Sequence, residues 1–439
     1  MRCILFNNID DYFDCNTKNT GSSFTINLNN NTIFTIDNSN KAQRQFYGIK
    51  NINNSIKLHF IQFIHSHSEV CYGYWLNTCD SATPTDYGFR YNKNTEKFEP
   101  YEIIENTSKE DGMHDEYYYV KKYYGYLDYM VNYVGNNNSE NSSAWGKDTY
   151  LLNHITWKNL CFILKNYQNI STFTCVPKWL YCDSYMCSIE EYKRLESKID
   201  LRQTSAHNKA TKGLKNDVNN KVYPGTVDYT LINFKSKDAI RNKMEMCDYL
   251  DKSYYLKKLM NVDNNNNLLG EFQICFIHVI MLGNYASSLQ WHNIIELIMK
   301  SKDVFDGNLN YITMFLEIFM VQLKSLPQEY KENLINIQCL KKCFIENEYI
   351  NETIIGNTTG SNKIARFESL INFLRNYISD ILQEEETDEY SDTTEKLICN
   401  NNNNNNEEYD VIQIWNVDSD DSDDEYKPTV VSGVYHQSV

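Results

Sequence analysis

No run of 18 apolar residues occurs in this 439-residue chain, so nothing in it is long and greasy enough to cross a bilayer as a helix. A Gly-rich phosphate loop, a nucleophile elbow and a His-Glu-x-x-His pair are also absent, which removes the usual sequence footholds of phosphoryl transfer, α/β-hydrolase chemistry and zinc peptidases. The paired Cys-x-x-Cys spacing of a zinc ligand set is missing too. Net charge is lacking over most of the length. Residues 380–426 hold 17 Asp/Glu and one Lys, which accounts for the whole −16; the remainder has 41 residues of each sign. A neutral body with an acidic tail does not read as a general nucleic-acid binder.

What is present is apolar and aromatic. Hydrophobic residues make up 41% of the chain, with 34 Tyr and 20 Phe, enough for two or three domains with real cores. The N-terminal MRCILF is followed by acidic residues and no small-residue cleavage site, so no secretory leader is expected. Thirteen cysteines, an odd number at irregular spacing, read as reduced thiols of an intracellular protein. Cys339 and Cys343, four apart on a helical pattern, read as small core residues. The Asn-x-Ser/Thr matches are discounted in so Asn-rich a chain.

Residues 24–130 alternate apolar and polar positions in short runs: Phe24–Leu28, Ile33–Ile36, Ile56–Ile64 and Val70–Trp75. In the third run Ile56, Leu58 and Phe60 share one face while Ile61 and Phe63 switch parity, which predicts a bulge or burial on both faces. Tyr117–Tyr133 fits a strand pair or a helix. Helical periodicity then predicts Asp148–Tyr167, and, after polar residues 201–226, Cys247–Asn261, Leu268–Leu282, Ala286–Lys300, Leu309–Lys324, 328–346 and 362–382. Leu268–Leu282 is apolar nearly all round and should be the buried centre. Gly283-Asn284 reads as a C-cap pair.

The expected fold is α+β: an antiparallel β-sandwich-like domain with a following helix over 1–200, a linker or mobile loop over 201–226, an all-α domain over 227–383 and an acidic disordered tail over 384–439.

The search for a site finds no catalytic constellation, so the chain is not read as an enzyme, and no cofactor or metal is expected. His65 and His67 read as a loop pair, and His278, His292 and Trp291 as core or interface residues. Two strand-prone islands in the acidic tail are better candidates, since an extended segment adds to an exposed sheet edge. They place Val411, Ile412, Ile414, Trp415 and Val417 in one binding strand, and Pro428, Val430, Val431, Val434 and Tyr435 in the other. The alternatives are polar-tail noise or folding back on the body. Ser301, read as lying at the C-terminal end of a helix and reaching the surface, is a candidate phosphorylation switch acting through the helix dipole, with an ordinary serine as the alternative. Ser419 and Ser422, set among acids, are further phosphoacceptor candidates.

The segments VDYTLINFKSKDAIR, DYLDKSYYLKKLM and GEFQICFIHVIMLGNYASSLQWHNIIELI resemble the helical domain of the A1-cistron splicing factor family. FYGIKNI at Phe46–Ile52, YGYW at Tyr72–Trp75, KSLPQEY at Lys324–Tyr330 and the terminal Pro428–Tyr435 extend the resemblance over most of 33–330 and the last twenty or so residues. Thr35-Ile36-Asp37 departs from the family's Gly-Ile-Asp. The resemblance implies a VHS-like form for the helical domain and a function as assembly chaperone of the U5 snRNP in pre-mRNA splicing. It implies as partners the RNase H-like and Jab/MPN-like domains of the large U5 scaffold protein within a U5 snRNP precursor. Binding there holds off RNA and the helicase, without stable direct nucleic-acid or membrane binding, in cytoplasm and nucleus. A peptide-binding adaptor of membrane trafficking is the alternative.

Overall fold

The structure is a computed structural model that describes residues 3–7, 9, 12, 23–29, 31–37, 46–52, 57–66, 71–77, 86–103, 130–133, 151–164, 178–195, 225–232, 234, 251–262, 268–327, 330–331, 335–356 and 362–399. Met1–Asp380 forms one compact unit and Ile381–Val439 a second.

Two five-stranded sheets build the N-terminal part. The first combines β1 (Ile4–Asn7), β4 (Gly48–Lys50), β7 (Asp86–Asn92), β8 (Lys97–Ile103) and β9 (Met130–Asn132) in the order β8-β7-β1-β4-β9. The second runs β10-β6-β5-β2-β3, from β2 (Ser23–Leu28), β3 (Asn31–Asp37), β5 (Leu58–His65), β6 (Cys71–Asn77) and β10 (Trp179–Asp183). Only the second is antiparallel throughout. In the first, β1 pairs with β7 and β4 with β9 in parallel, which corrects the antiparallel expectation. Parallel neighbours need long crossovers, and strands far apart in sequence meet here in just that way.

Alternation explains the packing between the sheets. Along β2, Phe24, Ile26 and Leu28 point inward and are fully buried. Phe63 lies within 5.3 Å of both Phe89 and Phe98, ring centre to ring centre, so rings of both sheets share one interior.

β5 is buried on both faces, and the parity switch is the reason. Ile61 and Phe63 face the sandwich core, while Phe60 packs with Trp75 toward the helices, 6.4 Å from the His278 ring. Gly73 makes room for this layer: a Cβ there would meet Ile61 O at 2.5 Å and Phe60 Cζ at 2.6 Å.

The helices are α1 (Trp157–Ile163), α2 (Ser253–Val262), α3 (Leu268–Leu282), α4 (Tyr285–Met299), α5 (Lys302–Gly307), α6 (Leu309–Ser325), α7 (Ile337–Leu340), α8 (Glu348–Gly356) and α9 (Asn362–Cys399). A two-stranded parallel ladder, β11 (Cys187–Ser188) with β12 (Thr226–Val227), lies between the sheets and helices in chain order. The result is a β-rich N-terminal region and a helical C-terminal region, an α+β protein. As expected, α3 is the centre: every residue except Ile280 is buried. Phe272 packs on Trp291 and Phe315, and Trp291 on Phe319, so α3, α4 and α6 share an aromatic core.

Several boundaries differ from the periodicity. The first helix starts at Trp157, because Thr156 caps it by accepting from Asn159 N at 3.2 Å. In α2 the start moves to Ser253, where Asp251 Oδ1 accepts from Ser253 N at 2.9 Å. The single helix expected over 328–346 is replaced by α7 and a π-helical turn, Lys341–Ile345, closed by Glu346 N to Lys341 O at 3.1 Å. Asn347 then starts a new direction and α8 follows. The last helix continues to Cys399, past the expected end at 382. Gly283 has the left-handed φ of 62° foreseen for it, whereas Asn284 is extended and caps α4 instead.

Candidate functional site

The residues that gave the chain its distinctive sequence, Gly270 to His292, hold other parts of the protein in place. Glu271 lies on α3 and is 3% exposed. Its carboxylate accepts from Thr230 N at 2.9 Å, Thr230 Oγ1 at 2.7 Å and Gln290 Nε2 at 2.8 Å. Gln290 Nε2 also donates to Thr230 O at 2.7 Å. The extended segment 227–232 is thus gripped through both its donor and its acceptor. Burial raises the Glu271 pKa, and the Thr230 and Gln290 donors oppose that rise.

Two residues along, Gln273 grips another segment. It accepts from His154 N at 2.9 Å and donates to Asn153 Oδ1 at 2.7 Å. These bonds hold the turn at 151–154, closed by Ile155 N to Leu152 O at 3.1 Å, against α3 ahead of α1.

One and a half turns later His278 ties the helices to the sheet. Trp75 Nε1, a group that can only donate, reaches His278 Nε2 at 3.0 Å. Burial pushes the His278 pKa down to about 3, so the ring is neutral and its proton sits on Nδ1. Nδ1 therefore donates to Tyr229 Oη at 3.0 Å. Ser287 Oγ donates to Asn284 Oδ1 at 2.7 Å, which leaves Tyr229 to donate to Ser287 Oγ, also at 2.7 Å. Asn284 Nδ2 then donates to Met186 O at 2.8 Å and Asp183 O at 3.2 Å. A directed chain of hydrogen bonds runs from β6 through α3, segment 227–232 and the start of α4 to the end of β10. Gln62 of β5 adds a second tie by donating to Met281 O.

The same elements enclose a surface groove of about 480 Å³. One wall is Ser188 to Arg194, the floor is Val227–Ile232, and the other wall is the first half of α4. Tyr285, Leu289 and Leu231 are 66%, 47% and 52% exposed there, large apolar groups that the fold leaves in water. Gln290 faces the groove and also belongs to the Glu271 clamp, so the clamp fixes the groove's floor against its wall.

Of the sites read from sequence, the tail strands Val411–Val417 and Pro428–Tyr435, with Ser419 and Ser422, lie outside the described residues. Ser301 is fully buried, which corrects the expectation that it reaches the surface. It lies between α4 and α5, donating its hydroxyl to Leu297 O at 2.7 Å. His65 is not in a loop; it ends β5, buried, 3.1 Å from Tyr72 Oη. His278 is a satisfied core histidine, and His292 accepts from Asn336 N at 3.1 Å through Nε2. Sequence reasoning found the signature but missed its partners: Thr230 and Tyr229 sit in a segment without periodicity. Among the described residues, no group of three or more His, Cys, Asp or Glu is placed to hold a metal ion, and no helix is long and apolar enough to cross a membrane.

The comparisons with known proteins fit this distribution. Residues 232–405 match the model of the AAR2 C-terminal repeat region. The A1 cistron-splicing factor AAR2 of Saccharomyces cerevisiae is similar over nearly the whole length, 28% identical over 406 residues that cover 90% of this chain and 93% of the yeast protein. That alignment spans the sheets as well as the helices whose clamps have just been described, so the similarity to AAR2 proteins extends beyond the C-terminal repeat region.

Proposed function

We propose that this chain is a protein-binding factor of pre-mRNA splicing, acting as an assembly chaperone of the U5 snRNP. In this reading it binds the RNase H-like and Jab/MPN-like domains of the large U5 scaffold protein, and it holds off RNA and the helicase until the particle matures. The observation that carries the reading is the near full-length similarity to a splicing factor, over 90% of this chain. The site chemistry supports a binding role. Its conspicuous polar residues are used up in internal hydrogen bonds, and the groove exposes apolar side chains suited to a protein surface. The tail strands extend the proposal: added to a sheet edge of the Jab/MPN-like domain, they raise avidity through the tether.

The test is co-purification of the tagged full chain with mass spectrometry of its partners, followed by direct binding to the two scaffold domains. Recovery of the U5 scaffold protein is expected. Recovery of sorting peptides and coat machinery in its place would favour a trafficking adaptor and overturn the proposal. Deleting 407–439 should weaken binding to the Jab/MPN-like domain while the body stays folded; unchanged affinity would discard the tail strands alone.

A further inference from the structure

Cys339 and Cys343 are set apart from the other described thiols. Cys339 lies in α7 and Cys343 in the π turn that continues it, four residues on. Four residues of helix separate Cα atoms by about 6 Å along the axis, within the roughly 4.4–6.8 Å that a disulfide spans. The two thiols are close enough for each to shift the protonation of the other. Cys339 is half-buried and Cys343 is buried behind it.

The charged groups facing the pair come from two elements. Lys300 and Glu296 project from α4, forming an ion pair at 2.5 Å, and Lys342 comes from the π turn itself. The Cys339 thiol is pushed down, first by the neighbouring Cys343 thiol and then by Lys300 and Lys342, against burial and Glu296. Cys343 is pushed up, first by Cys339 and then by burial. One thiol is thus favoured as thiolate and the other kept protonated beside it. The half-buried Cys71, Cys161 and Cys187 are all pushed the other way by burial, Cys161 to about 11.

We propose that Cys339 and Cys343 are an oxidisable pair, a modification site at which a hydroperoxide converts the two thiols to a disulfide within one helical turn. The Cys339 thiolate attacks a peroxide oxygen. The O–O bond breaks, a Cys339 sulfenic acid forms, and the leaving oxygen departs as alcohol, or as water from hydrogen peroxide, after taking a proton. Cys343 sulfur then attacks Cys339 sulfur. The S–S bond forms, the S–OH bond breaks, and hydroxide leaves as water with the Cys343 proton. Two electrons pass from the thiol pair to the peroxide, and no other reductant is needed. The carbonyl of Cys343 accepts from Asn347 Nδ2 at 3.1 Å, and the same amide donates to Met299 O at 2.7 Å. Oxidation of this turn is therefore coupled to the C-terminal end of α4.

The experiment uses the folded full chain, hydrogen peroxide near stoichiometric amounts, and tryptic peptide mapping. Cleavage after Lys341 and Lys342 puts the two cysteines on separate peptides, so the disulfide appears as a linked pair that reductant separates. The linked pair is expected first, before oxidation at Cys161 or Cys187. In Cys343→Ser, Cys339 should accumulate as a sulfenic acid trapped by dimedone. In Lys300→Gln, alkylation of Cys339 by iodoacetamide should slow severalfold, which packing alone would not cause. Absence of the linked pair, or its appearance only after unfolding, overturns the proposal. So does Cys339 alkylation no faster than that of Cys161, or an unchanged rate in Lys300→Gln.

Discussion

The indole N–H of Trp75 donates to Nε2 of His278 across 203 positions of sequence, joining the middle of a β-strand to the middle of a helix. Trp75 and His278 are each 0–1% exposed, so neither group has water as an alternative partner. A buried polar pair adds specificity to an apolar interface. Hydrocarbon surfaces slide, but a donor that can only donate and a ring with one free acceptor fix which turn of α3 faces which strand.

Removing the acceptor should therefore cost more than removing the ring's bulk alone. His278→Ala leaves the Trp75 N–H unsatisfied and opens a cavity beside Phe60, for an expected loss of about 3–5 kcal/mol. Trp75→Phe keeps an aromatic ring and removes the donor, so the double variant should lose less than the sum of the singles. A double-mutant cycle by urea unfolding measures the coupling, expected at about 1–3 kcal/mol. Strict additivity would mean that the bond contributes nothing.

The same residue sets a pH dependence. Folded His278 has its pKa lowered from 6.5 to about 3, so below pH 6.5 the unfolded chain binds a proton that the folded one refuses. Stability from this group is present above that pH and is lost as pH falls toward 3. Between pH 7 and pH 4.5 the loss approaches about 2–3 kcal/mol. His154 and His292, also lowered by burial, act in the same direction. Glu271, whose pKa burial raises, opposes them: its contribution is present at low pH and is lost as pH rises through its folded value. His278→Gln keeps a neutral acceptor while removing the titration, so the variant should be distinctly less acid-sensitive than the parent in denaturant melts. Equal slopes for the two proteins would refute a neutral buried His278.

How much of this was legible in the sequence depends on whether a residue's partner is local. Alternation placed Phe24, Ile26 and Leu28 inward, and of the two readings that the parity switch at Phe60–Ile61 left open, a bulge or burial on both faces, the strand shows burial on both faces. The all-round apolar pattern of Leu268–Leu282 marked the central helix. What pattern reading lost was decided by long-range bonds. Gln273 holds His154 and Asn153 in a turn where periodicity asked for α-helix. The parallel pairing of β1 with β7 joins residues about 83 apart, which local alternation does not encode. Ser301 looked exposed because helix ends usually are, and a following helix covers it instead.

The groove gives a prediction that rests on the proposed function. Tyr285 and Leu289 are one turn apart on α4 and largely in water, so Tyr285→Ala with Leu289→Ala should barely change the unfolding midpoint. If the scaffold domains cover this surface, affinity by calorimetry should fall about tenfold or more, as expected when an aromatic anchor is removed. Unchanged affinity would place the contact elsewhere on the protein.

Ser301 gives the last prediction, and burial changes what it tests. Its hydroxyl donates to Leu297 O at the carbonyl end of α4, and its backbone N–H reaches Ile298 O at 3.1 Å. Ser301→Ala loses one bond and should cost about 1 kcal/mol. Ser301→Glu places a carboxylate in a closed site against carbonyls that carry the negative end of the helix dipole, so a loss of roughly 3 kcal/mol or more is expected. A phosphate there would act by opening the α4–α5 junction, because a kinase meets the hydroxyl only once that junction has opened. Hydrogen exchange over 297–305 should rise in Ser301→Glu and stay near parental levels in Ser301→Ala. A Glu variant that is as stable and as protected as the parent, and binds the scaffold domains as tightly, would exclude Ser301 as a switch.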